Sequence, residues 1–164
     1  MQRFKITKEG HSKLKADLDR LINVERVKIS NAIGEAIELG DLSENTEYSS
    51  SKERQLINEA LIATLGEKIS NADVVDMDKL SGNSIDFGAT VSLMDEDSER
   101  KISYTLLSEF EADPLKHVIS LNSPIGNALF GKCIGESVEI RAPGGTKYYR
   151  ITDIKWGNST YNVL

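Results

Sequence analysis

The stretch KISNAIGEAIELGDLSENTEYSSSK, residues 28–52, decides how the chain is read. Upstream of Gly40, the residues Ile29, Ala32, Ile33, Ala36 and Ile37 recur at three- and four-residue steps, the period of one face of an α-helix. Gly40 and Asp41 break that period. Ser43, followed by Thr46 and Glu47, forms an imperfect capping box from which a second helix starts. Between Lys28 and Lys52 there is no Lys or Arg, yet Glu35, Glu38, Asp41, Glu44 and Glu47 fall there at every third position. The stretch is therefore a turn between two helices with an acidic tip.

Working outward, the apolar stripe extends back through Leu14, Leu18, Leu21 and Ile22 to Thr7, a suitable N-cap. A helix over residues 8–39 would be about 48 Å long at 1.5 Å per residue. Forward of the turn, Leu56, Ile57, Ala60, Leu61, Leu65 and Ile69 carry a second helix over residues 43–71. A connection this short cannot return the chain along the rod, so the helices must be antiparallel. The heptads are impure: Glu25 and Lys28 fall near the seam, and Gly34 and Gly66 each cost about 1 kcal/mol relative to Ala. The same stripes would also suit a dimerisation coiled coil.

Composition separates this half from the rest. All three prolines (Pro114, Pro124, Pro143) and eight of the ten aromatic residues lie from Phe87 onward in a chain of 164 residues. From there the apolar period is two, as in strands. Segments 85–95, 99–108, 116–122, 136–142 and 147–156 read as strands, with Pro143-Gly144 turning the last two into a hairpin. Ser123 as N-cap, Pro124 at the first helical position and Gly131 past the end mark one short helix. The expected fold class is α + β: an antiparallel two-helix coiled-coil finger over residues 1–78, a linker at 79–84 and an antiparallel sheet domain with one short helix over 85–164.

Several function classes are excluded. The net charge is −6, and the halves 1–77 and 78–164 each carry three more acids than bases, so neither is a basic nucleic-acid-binding arm. One cysteine, Cys133, excludes an intrachain disulfide, fits a reducing compartment and, with no histidine near it, reads as an inert thiol. No leader-like or membrane-spanning apolar run is present, so a cytoplasmic protein without a membrane partner is expected. The tip has no His, Cys or Lys to act as base or nucleophile, and its chemistry must rest on carboxylates. Asp41 and Glu44 at the turn repel each other, which suits a ligand bringing positive charge. Mg²⁺ takes one or two protein carboxylates and completes its sphere with water and phosphate oxygens. Acids at a helix N-terminus also favour its dipole without any ligand.

GDLSENTEYSSSKERQ, residues 40–55, resembles the finger-tip signature of the GreA/GreB family of bacterial transcript cleavage factors. NSPIGNALFGKCIGESVEIRAPGG, residues 122–145, is similar to the family's second signature. The resemblance implies an N-terminal coiled coil and a C-terminal FKBP-like domain. It implies an accessory factor, not itself an enzyme, that binds bacterial RNA polymerase at its secondary channel through the C-terminal domain and stimulates the polymerase's own hydrolysis of the 3′ end of backtracked nascent RNA. Asp41 and Glu44 match the acids that help hold a Mg²⁺ shared with the polymerase active site, an ion the free protein is not expected to bind tightly. Around the short helix, Ser123, Pro124, Ile125 and Phe130 are the candidate partner-binding residues. On the finger, Arg26, Lys28, Lys52 and Arg54, with Lys13, Lys15 and Arg20, are candidates for RNA phosphate contact or for ordinary surface ion pairs. A monomer is expected. The alternative is a secondary-channel regulator or inhibitor without cleavage activity; an FKBP-like prolyl isomerase rests on fold analogy alone. Thr46 and Ser49-Ser50-Ser51 depart from the family pattern and lower helix propensity past the tip, and the tail 157–164 has no assigned role.

Overall fold

A computed structural model describes residues 2–40 and 42–157. The chain divides into two compact units, one holding His11–Ala72 and the other holding Phe4–Gly10 with the chain from Asp73 onward.

The chain opens with strand β1 (Phe4–Thr7), which buries Ile6 completely and pairs with β2 (Ala72–Val75) in a two-stranded sheet. β1 was not legible from periodicity, since four residues carry too little pattern. Thr7 caps the helix that follows, as expected: its Oγ1 accepts from the Gly10 amide at 3.0 Å.

The first long helix is one run interrupted by a change of pitch. α1 (Lys8–Arg20) passes into a π-helical turn (Leu21–Glu25) and then into α2 (Arg26–Glu38). After the tip comes α3 (Thr46–Ser70), 25 residues and so about 37 Å long. The reason for the π turn lies in the spacing of the inward positions. On α3, Tyr48, Ser51, Gln55, Asn58, Ile62, Leu65 and Ile69 turn inward in strictly alternating steps of three and four. On the first helix, His11, Leu14, Leu18, Leu21, Glu25, Ile29, Ala32 and Ala36 turn inward with two consecutive steps of four around Glu25. That is one residue more than a heptad rhythm allows. A π turn is how a helix absorbs one extra residue without losing its seam.

The seam itself differs from the one expected on α3. Leu56, Ile57 and Leu61 are 73%, 55% and 50% exposed, and Ala60 also faces out, while Ser51 and Asn58 are the buried positions. Counting apolar residues picked a face roughly a third of a turn from the packed one. Leu65 and Ile69 do lie inward. Polar residues fill the tip-ward half of the seam because Ser51 is small and Asn58 finds a main-chain partner, Leu21, 3.2 Å away.

In the second unit, five strands follow close to where alternation places them: β3 (Thr90–Asp95), β4 (Lys101–Leu107), β5 (Val118–Ser120), β6 (Ser137–Ala142) and β7 (Gly145–Lys155). Their order is β5-β4-β3-β7-β6. One pairing departs from the antiparallel sheet expected: β4 and β5 run parallel, so the sheet is mixed. The connection between them, with a 3₁₀ turn over Pro114–Lys116 capped by Asp113, is long enough to reverse the chain before β5 begins. β7 carries a bulge opposite Ser92 and Leu93, where Thr152 Oγ1 donates to the Ser92 carbonyl at 3.1 Å.

The short helix α4 (Pro124–Leu129) lies where predicted, capped by Ser123, whose Oγ accepts from the Gly126 amide at 3.1 Å. Leu129 joins Ile85, Ala89, Val91, Leu93, Leu106, Val138 and Ile151 in the main core, and Met77, Phe87, Leu107 and Val118 form a second cluster. The core is aliphatic. Of the aromatics, Phe87 is buried, and Tyr104, Tyr149 and Trp156 pack half-buried around the main cluster.

Candidate functional site

The tip of the finger is built by the end of α2 and the start of α3. α2 closes by tightening: the Leu39 amide donates to the Ala36 carbonyl at 3.1 Å and the Gly40 amide to Ile37 at 3.3 Å. Gly40 then takes φ +113°, a left-handed conformation that costs glycine least. α3 is capped by Asn45, not by the Ser43 capping box expected: Asn45 Oδ1 accepts from the Tyr48 amide at 3.1 Å. Its Nδ2 reaches back to donate to the Ala36 carbonyl at 2.6 Å. Asn45 thus binds both helices at once, a role the sequence signalled only in that Asn ranks among the best N-cap residues.

Of the two tip acids, Glu44 is exposed in the turn before Asn45, and Asp41 lies outside the described residues. Glu35, Glu38 and Glu47 are exposed as well. Among the described residues Glu44 makes no ion pair, and no three of His, Cys, Asp and Glu group as a metal-ligand set. An exposed, unpaired carboxylate fits a hard cation that keeps most of its water and takes its other ligands elsewhere.

The candidate RNA-contacting residues separate into two kinds. Arg26 is engaged: its Nε and Nη2 donate to the two carboxylate oxygens of Glu59 on α3 at 2.8 and 2.9 Å. The hydrogen bond holds the Glu59 carboxyl below, and the Arg26 guanidinium above, their ordinary pKa values. Arg20 stands 3.7 Å from Glu25, and Lys52 Nζ donates to Gln55 at 3.1 Å. Lys13, Lys15, Lys28 and Arg54 are exposed and make no ion pair within the described residues. These four, with Lys52, whose partner is a neutral amide, are the candidate shaft cations that no acid pairs among the described residues, unlike Arg26.

In the second unit the candidate partner-binding residues do not form one exposed patch. Ser123 is half-buried and committed to capping, with its Oγ also donating to the Ser120 carbonyl at 2.6 Å. Ile125 is half-buried and packs on the main core. Pro124 and Phe130 are exposed, Phe130 by 53%, and Ile134 adds a 57% exposed side chain four residues on. Ile134 escaped the sequence reading, because an apolar residue between Cys133 and Gly135 carries no periodic signal. α4 seats closely on the end of β5: a Cβ at Gly126 would fall 2.3 Å from the Ser120 carbonyl oxygen.

The loop between β3 and β4, acidic in sequence with Asp95, Glu96, Asp97 and Glu99, is organised by one of its acids. Asp95 is buried, and its Oδ1 accepts from the amides of Asp97 at 2.9 Å and Ser98 at 3.2 Å. Those bonds, foremost the one from Asp97, with Lys147 3.8 Å away, hold its carboxyl below the ordinary value. Asp95 is structural. Among the described residues no helix is long and apolar enough to cross a membrane.

Two family models cover nearly the whole chain. The one described as "Transcription elongation factor, N-terminal" matches residues 4–74, and the one described as "Transcription elongation factor, GreA/GreB, C-term" matches residues 80–156. A Rhodospirillum rubrum protein named Transcription elongation factor GreA is 45% identical over 157 residues, covering 96% of this chain and 100% of its own length. A Rhodopseudomonas palustris protein of the same name is 47% identical over 156 residues, covering 95% and 98%. Among solved structures, GreA factor homolog 1 of Thermus thermophilus is 28% identical over 94% of this chain and 99% of its own, with a TM-score of 0.43.

Proposed function

Because the chain belongs to the GreA/GreB family of transcription elongation factors, we propose that it binds RNA polymerase and stimulates the polymerase's cleavage of backtracked RNA at its 3′ end. The observation that carries this reading is the tip: an exposed acidic turn, closed by Asn45, at the end of a finger whose α3 is about 37 Å long. The hairpin has too little core to enclose a substrate, and its end offers carboxylates and no base. Such a device contributes ligands to an active site that another protein owns.

In this reading the second unit docks on the polymerase through Pro124, Phe130 and Ile134, and the finger enters the secondary channel. Glu44, with Asp41 three residues before it in sequence, presents carboxylate oxygens beside the RNA 3′ end. A Mg²⁺ shared with the polymerase supplies an activated water and charge stabilisation for the leaving oxygen. The two acids orient that water for in-line attack and offset positive charge. Lys28 and Arg54, both exposed, meet extruded phosphates in this reading. The chain acts in the cytoplasm, one copy per polymerase, and is not an enzyme by itself.

Addition of the purified protein to halted elongation complexes tests this. Labelled transcripts shorten from the 3′ end when protein, polymerase and Mg²⁺ are all present, and free RNA with protein and Mg²⁺ alone stays intact. Tight binding that blocks nucleotide entry without shortening the transcript would contradict the proposal and favour a channel regulator.

A further inference from the structure

Ala36 and Asn45 are nine positions apart, yet a side-chain bond joins them: Asn45 Nδ2 donates to the Ala36 carbonyl at 2.6 Å. The other end of the same amide, Oδ1, accepts from the Tyr48 amide at 3.1 Å. The two bonds tie the last turn of α2 to the first turn of α3 and close the segment 37–44, within which Asp41 and Glu44 both lie in sequence. We propose that Asn45 is a positioning residue for the tip, holding the adjoining Glu44 in place before it meets the polymerase; this rests on the reading of Asp41 and Glu44 given above.

The choice of residue supports it. Ser, Thr, Asp and Asn all serve as N-caps, because capping needs only an acceptor. Of these, Asn alone couples an acceptor to an amide donor that reaches a carbonyl on the neighbouring helix. Ala36 is among the last carbonyls of α2, which lack a partner within the helix, and it takes both the Leu39 amide and Asn45 Nδ2. The described residues of the loop between, Leu39, Gly40, Leu42, Ser43 and Glu44, are all exposed. Tying Asn45 to both helices reduces the conformations the adjoining Glu44 samples, and a misplacement of about 1 Å costs catalysis about a hundredfold.

Asn45→Ser and Asn45→Asp separate the clasp from the cap, since both keep an N-cap acceptor and both lose the donor to Ala36. Asp also adds a carboxylate at the tip, so a loss common to both variants is not an effect of charge. Helix content by circular dichroism should match the parent. The Leu39 and Gly40 amides should exchange with solvent about tenfold faster in both variants. In halted elongation complexes the maximal cleavage rate should fall about ten- to a hundredfold, while the concentration giving half-maximal effect stays within about twofold of the parent, an amount near 0.4 kcal/mol. Unchanged exchange at Leu39 and Gly40 in both variants overturns the clasp. Full maximal cleavage by both, where Asp41→Ala and Glu44→Ala abolish it, overturns the positioning role and leaves the tip reading standing. Full cleavage by the Asp41→Ala and Glu44→Ala proteins overturns the tip reading, and the positioning role with it.

Discussion

Asn58 donates its side-chain amide across the finger to the main-chain carbonyl of Leu21, at 3.2 Å inside the seam. The same carbonyl accepts the amide of Arg26, five residues on, so the interhelical bond falls on the π turn. A polar residue buried in a two-helix seam normally costs stability; here its donor is satisfied by a carbonyl whose geometry the π turn sets.

That pairing makes the two obvious substitutions behave differently. Asn58→Ala removes the bond and leaves a gap, and should lower the stability of the full chain by about 1–2 kcal/mol. Asn58→Leu fills the seam with an apolar group of the same branched shape, and the Leu21 carbonyl keeps its Arg26 partner. It should fall within about 1 kcal/mol of the parent. Urea titrations followed by the helical circular dichroism signal measure both.

Gly34 and Gly66 sit inside α2 and α3, and nothing lies within 4 Å of where a Cβ would stand at either. No close approach requires glycine there, and neither takes a positive φ. Gly34→Ala and Gly66→Ala should each stabilise the protein by about 1 kcal/mol, through the smaller entropy lost on folding. Differential scanning calorimetry of the full chain should show a higher Tm for each and an additive rise for the pair.

Asp95 ties the β3–β4 turn through the Asp97 and Ser98 amides, and its carboxyl is held below the ordinary value. A depressed folded pKa contributes stability that is fully present above the unfolded value, about 3.9 for Asp. That contribution is lost as pH falls through the lower, folded value. Asp95→Asn should therefore be less stable than the parent at neutral pH, with the difference shrinking below about pH 4. Melting temperatures collected from pH 2 to 7 check the sign; a gap that widens on acidification would contradict it.

Much of the architecture was legible because strong local signals agreed. Gly40 and the acidic run marked the turn, Ser123 and Pro124 marked α4, and Pro143-Gly144 marked the last hairpin. What escaped depends on tertiary context. The π turn answers a one-residue excess visible only when both helices are in contact. Leu56, Ile57 and Leu61 look like a core stripe, yet face solvent because Ser51 and Asn58 find their places inside. Parallel pairing of β4 with β5 has no short-range signal. At the site, the exposed turn that carries Glu44 was readable from residue type and spacing, whereas the engagement of Arg26 by Glu59, 33 residues away, was not.

The central claim is that the finger tip supplies carboxylates to the polymerase's RNA cleavage reaction. The measurement that tests it most directly is single-turnover 3′ cleavage in halted elongation complexes at saturating protein, for the parent, Asp41→Ala and Glu44→Ala, with polymerase binding followed in parallel by competition. The account predicts that each substitution cuts the cleavage rate by about a hundredfold or more, with binding unchanged. Cleavage by Glu44→Ala and Asp41→Ala at the parent rate, with binding intact, would contradict it.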